Sequence, residues 1–111
     1  MPKDDRVLLQ HIADAIGRIH EFTDGVSDAA FRERRIVQSA VVRELEIIGE
    51  ASRDLSDRFR AAHPEIDWAT VIAMRNRLVH AYFDVDLTVV WEVVHQDLPK
   101  LDAVVESSPR P

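Results

Sequence analysis

Apolar residues recur along this chain at helical spacing almost from its start. Leu8, Ile12, Ala15, Ile19 and Phe22 follow at intervals of four, three, four and three, one stripe of an amphipathic helix. Thr23-Asp24-Gly25 should end that helix, because glycine accepts the left-handed conformation that closes helices. Ser27 is then placed to cap the next one, with Asp28 favouring its first turn. The pattern predicts a longer second helix from about Asp28 to Ala62, with a break near Arg34. Val37, Val41, Leu45, Ile48, Leu55 and Phe59 form its stripe, and Ile36, Ala40, Ile47 and Ala51 widen it. A helix apolar over so wide an arc is buried on more than one side, and in a small domain the extra face suggests a second subunit. His63-Pro64 closes it, since proline disfavours helical geometry in the residue before it.

A third helix is expected from Asp67, an N-cap candidate, through Trp68, Val71, Ile72, Leu78 and Val79. Asp84-Val85-Asp86 marks a break. In the fourth helix Leu87, Trp91, Val94, Leu98, Leu101 and Val105 alternate fours and threes, and Pro99 should force a kink or restart near Asp97. No segment reads as a strand. The expectation is an all-α, antiparallel bundle of four to five helices, a single domain over residues 1–111 with a disordered tail from 106 to 111. Gly49 lies mid-helix, where it costs ~1 kcal/mol against alanine, so it should permit a close helix crossing.

Composition narrows the class. At 111 residues there is room for one core, and without cysteine neither disulfides nor thiolate metal sites hold it. The first residues turn acidic at once and lack the apolar run of a signal peptide, and no stretch approaches the ~20 apolar residues that span a bilayer. A soluble cytoplasmic protein is expected. The net charge of -6 argues against a general nucleic-acid binder. Its distribution is uneven: residues 32–77 hold nine arginines against eight acids, while both flanks are acidic. Any RNA would therefore meet a local arginine patch, although most of these arginines read as solvated or paired along a helix.

The chemistry concentrates in Arg75-Asn76-Arg77-Leu78-Val79-His80-Ala81-Tyr82. An arginine supplies a fixed charge, a histidine exchanges protons near its reference pKa of about 6.5, and a phenol stands beside them. These groups suffice to cleave RNA at its own 2′-hydroxyl without a metal. On one continuous helix, however, five residues advance the angle by about 140°, so Arg75 and His80 would face apart. Either the helix ends before His80, or two copies of the motif meet across a two-fold axis. The wide apolar arc of the second helix favours the latter.

The arginine, four intervening residues and His-x-Tyr resemble the signature of HepT-like toxins of the HEPN superfamily. Trp68-Ala69, Met74, Phe83-Asp84-Val85-Asp86 and Glu44-Leu45-Glu46-Ile47-Ile48-Gly49-Glu50-Ala51 read the same way, so that the resemblance runs from about Arg6 to Leu101. It implies a HEPN-type bundle, a homodimer with the site at its interface, and a metal-independent endoribonuclease that needs no cofactor. It also implies the toxin role in a type VII-like toxin–antitoxin pair. The partner would be a minimal nucleotidyltransferase antitoxin that adds AMP to the motif tyrosine, here Tyr82. In that frame His80 and Arg75 are catalytic. His80 would move the 2′-hydroxyl or leaving-group proton, and Arg75 would stabilise the charged transition state. Asn76 and Arg77 would support them by orienting the ring or meeting neighbouring phosphates.

Other readings stay open. Without the resemblance, a histidine at a helix end commonly caps carbonyls and a tyrosine is commonly a half-buried aromatic. The chain could then be a non-catalytic helical adaptor that binds a nucleotidyltransferase. Glu92 and His95 have the spacing of dimetal bundles, but such sites need that pair twice and no second Glu-x-x-His exists. Phosphate-binding glycine loops are absent, and Trp68 and Trp91 are read as core.

Overall fold

The computed structural model describes residues 4–81 and 84–111, with the backbone alone at Arg75, Val79, His80, Ala81 and Asp84. Helix α1 spans Asp5–Thr23, and its N-cap, Asp4, accepts the Arg6 amide at 2.8 Å. Its inward stripe, Leu8, Leu9, Ile12, Ala15, Ile16 and Ile19, is buried throughout. Gly25 closes the turn at φ 69°, and Ser27 caps α2 (Asp28–Glu33) by accepting the Ala30 amide. The chain bends at Arg34 as expected, and α3 then runs over Arg35–Asp54.

Helix α3 is the centre of the bundle, packed along α1 and touching α2, α5 (Trp68–Ile72) and α6 (Met74–Leu78). Its direction against α1 can be read from two polar ties. The Asp5 carboxylate accepts from the Ser56 amide and hydroxyl, and Arg18 Nε donates to both Glu44 oxygens at 2.9 and 2.8 Å. Numbers rise along one helix as they fall along the other, so the pair is antiparallel. All-α, antiparallel packing is thus what the structure has.

Three breaks depart from the expected elements. The second segment does not continue to Ala62, because Leu55 is extended and Ser56 caps a new helix α4 (Asp57–Ala62) with its hydroxyl. The third segment divides at Ala73 into α5 and α6 and leaves helical geometry after Leu78. Two short strands follow where no strand was expected: β1 (Val79–Ala81) pairs antiparallel with β2 (Asp84–Val85), with Val79 opposite Val85.

Helix α7 (Leu87–Glu92) passes into a π-helical turn, Val93–Asp97, before α8 (Leu98–Glu106). Pro99 accounts for it. Proline removes an amide and crowds the carbonyl four residues back, and one wide turn upstream absorbs both, with the Leu98 amide donating to the Val93 carbonyl. The expected restart near Asp97 is present. The core of buried Leu, Ile and Val gathers from α1, α3 and α6 to α8, with Phe31 of α2 against Trp91 at 5.4 Å between rings. Part of the extra apolar face of α3 is open: Ile36 is 86% exposed, and Val37, Ala40 and Ile47 are half-buried.

Candidate functional site at the end of helix α6

The motif is held by its two apolar residues. Met74 and Leu78, one turn apart, are buried at 1% and 0% exposure, so α6 is anchored on both turns. Beneath it, Gly49 of α3 makes the close crossing that its mid-helix position suggested. A Cβ there would lie 3.0 Å from the Val71 carbonyl oxygen and 3.6 Å from Met74 Cβ. Upstream, Asp67 caps α5, accepting from the Thr70 amide at 3.2 Å and its hydroxyl at 2.7 Å. Those bonds, the hydroxyl first, hold the Asp67 carboxyl below the usual carboxylate range, and the Arg77 charge adds to them. Trp68 is half-buried rather than core, with its indole N–H shared between the carbonyls of Arg60 and His63.

Asn76 is exposed and lines a shallow open cleft with Ala69, Thr70, Ala73 and Arg77. Arg77 pairs with Asp97 of the π-helical turn at 2.8 Å, both side chains being about one-third exposed or more. It therefore clamps α6 to the α7–α8 helix, and water screens the pair enough to leave the guanidinium available to an anion.

Helix α6 ends between the two candidate catalytic positions. The Arg75 backbone belongs to α6, whereas the His80 backbone is the middle of β1, and the Asp86 amide donates to the Leu78 carbonyl at 2.8 Å. The 140° separation of a continuous helix thus does not apply, because the helix ends before His80. The side chains of Arg75 and His80, and all of Tyr82, lie outside the described residues.

Local pattern does not name two features of this region. Pro99 marks Asp97 as a point of restart, and nothing in the sequence pattern makes it the Arg77 partner. An open groove of about 690 Å3 runs along the first half of α3, between Arg35, Arg43 and Glu46 on one wall and Val85 and Leu87 on the other. The helical spacing of Arg35, Ser39 and Arg43 was available as a signal, but its opposite wall lies some forty residues on. Glu50 is exposed beside a small recess with Arg53, Ile72 and Met74. His95 stacks on Trp91 at 4.0 Å and its Nδ1 lies 2.9 Å from the Trp91 carbonyl oxygen. Among the described residues no cluster of three or more carboxylates and histidines could hold a metal ion. None of the described helices is long and apolar enough to cross a membrane.

Residues 12–108 match the family described as ribonuclease HepT-like. The chain belongs to the HepT-like ribonuclease family. It is 42% identical to a protein of Thermococcus cleftensis named "Probable ribonuclease HepT", over 96% of each chain. It is 36% identical to an RNase-named protein of Methanocaldococcus jannaschii, covering 94% of this chain and 95% of that one. A Caldanaerobacter subterraneus protein, also RNase-named, is 35% identical over 94% of this chain and 93% of its own. No solved structure matches significantly. Membership makes a ribonuclease the enzyme class, and the all-α bundle agrees with the HEPN type.

Proposed function

We propose that this HepT-like chain is the toxin of a type VII-like toxin–antitoxin pair and cleaves RNA without a metal, using Arg75 and His80. The observation that carries this is the Arg75…His80-x-Tyr82 arrangement within a chain of a ribonuclease family. The turn from helix to strand between Arg75 and His80 supports it, because it frees the histidine from the angular constraint of a helix. His80 takes the 2′-hydroxyl proton, the 2′-oxygen attacks phosphorus, and the 5′-oxygen departs with a proton. The products are a 2′,3′-cyclic phosphate and a 5′-hydroxyl. Arg75 meets the charge that builds on the phosphoryl oxygens, and Asn76 and Arg77 serve neighbouring groups. DNA, lacking the nucleophile, is inert.

The chain acts as a homodimer in this reading, with the open apolar face around Ile36, Val37 and Ile47 as the surface available to a second copy. A minimal nucleotidyltransferase antitoxin adds AMP to Tyr82. The deciding experiment is RNA cleavage in EDTA by the wild type, His80→Ala and Arg75→Ala, with helicity and mass checked by circular dichroism and light scattering. Both variants should lose at least ~100-fold in activity. Cleavage retained by His80→Ala, or abolished by EDTA in the wild type, defeats the mechanism. A wild type that cleaves no RNA but still binds the nucleotidyltransferase would make the chain an adaptor.

A further inference from the structure

We propose that the groove along α3 is the subsite for the single-stranded RNA flanking the cleaved bond, with Arg35 and Arg43 each gripping a backbone phosphate. This rests on the ribonuclease reading. The groove holds about 690 Å3 and is walled by Arg35, Ser39, Arg43 and Glu46 of α3 with Val85 of β2 and Leu87 of α7. Its position decides the occupant. Val85 pairs directly with Val79, the residue before His80, so the groove opens at the hairpin carrying the candidate histidine. A chain lying in it runs towards the place where the proposed chemistry occurs.

Charge agrees. The protein carries a net charge of -6, yet Arg35 and Arg43 are exposed on this wall and neither forms an ion pair among the described residues. Most other arginines pair with a carboxylate close by, among them Arg18 with Glu44, Arg32 with Asp28, Arg53 with Asp54 and Arg60 with Asp57. Eight residues separate Arg35 from Arg43, about 12 Å along the helix, so the two forks meet different phosphates. Ser39 lies midway with a hydroxyl to offer. The Gln38 amide is spent on the Phe31 carbonyl at 2.8 Å, which ties the wall to α2.

None of the described residues that line the groove is aromatic, so they offer bases no stacking platform and hold the strand through its backbone. Glu46 repels phosphate one turn beyond Arg43 and marks the end of the anionic path. Affinity should therefore be salt-dependent and tolerant of sequence.

The test uses the full chain carrying His80→Ala and a fluorescent single-stranded oligoribonucleotide, titrated at several salt concentrations. Arg35→Gln and Arg43→Gln in that background should each weaken binding about tenfold at low salt and reduce the log–log salt slope by about 0.7. Arg58→Gln, exposed on α4 outside the groove, controls for loss of one positive charge. Binding indifferent to Arg35 and Arg43, no binding at all, or an equal loss with Arg58→Gln overturns the proposal. So does a change in mass by light scattering with RNA affinity unchanged, which would assign the groove to a contact between copies. Cleavage by the wild type, measured separately, decides the ribonuclease reading. Groove-dependent binding without cleavage would keep the subsite and remove the activity.

Discussion

Gly49 of α3 lies directly beneath the Val71 carbonyl of α5: a Cβ on Gly49 would stand 3.0 Å from that oxygen. Alanine is the better helix former by ~1 kcal/mol, so Gly49→Ala would stabilise an isolated helix. Here the contact is with backbone, which cannot rotate away, and the crossing must open. Overpacking of this kind costs about 1–3 kcal/mol. The expected outcome is a lower thermal midpoint together with weakened RNA cleavage, since α5 and α6 move together. A midpoint equal to or above the wild type would show that the crossing relaxes freely.

The Arg18–Glu44 pair yields a different expectation. Glu44 is almost fully buried on α3, while Arg18 on α1 keeps 44% of its side chain in water. Removing the arginine strands a carboxylate between two helices, whereas Glu44→Gln leaves a neutral amide that can still accept. Arg18→Met should therefore cost more than Glu44→Gln. Discounted for the exposed guanidinium, the difference is about 1–2 kcal/mol, or roughly 4–8 °C for each kcal/mol. Chemical denaturation of both single variants and the double variant measures it. Equal losses would mean that Arg18 contributes packing and not charge.

Acid sensitivity should trace partly to Asp67. Its folded-state pKa is lowered, chiefly by the Thr70 hydroxyl and amide and then by Arg77. A lowered carboxylate contributes stability above its unfolded pKa of about 3.9 and loses it as pH falls through the folded value. Asparagine keeps the capping oxygen and does not titrate. The difference in urea midpoint between wild type and Asp67→Asn should favour the wild type near neutrality and shrink between about pH 5 and pH 3. The remaining carboxylates titrate in both proteins and cancel, so a flat difference curve would refute the assignment.

How far the sequence foretold this depends on the element. Helix α1 was legible because its stripe, its glycine stop and the Ser27 cap agree. The break at Leu55 was not: Leu55 and Phe59 are four apart and keep the helical register straight through the Ser56 cap. The hairpin was hidden for a similar reason. Leu78 and Val79 prolong an apolar helical stripe, and a strand of three residues is too short to display alternation. Pro99 announced an interruption, but not that a π-helical turn upstream would absorb it. In the candidate site, Asp67 could be read as a cap from its place before an apolar run. Asp97 and the α3 groove depend on which elements meet in space, and local pattern carries no such information.

Tyr82 is expected to be the point of control. It lies outside the described residues, so the expectation rests on its place in the chain, two residues after His80 and immediately after β1. Any group attached to a phenol that near in sequence can intrude on a phosphate bound by the motif. AMP would bring both a bulky nucleoside and a phosphodiester charge, and that charge would compete for Arg75 and Arg77. Steric exclusion and charge competition act in the same direction, and a short chain of AMP units would do more. Coexpression with a minimal nucleotidyltransferase antitoxin should add one or more AMP masses to the peptide holding Tyr82, measured by mass spectrometry. Tyr82→Phe should accept none and, if active, should escape neutralisation. Modification confined to another peptide would exclude Tyr82 as the acceptor. Continued silencing of Tyr82→Phe by the active partner would point instead to occlusion of the site by the bound nucleotidyltransferase.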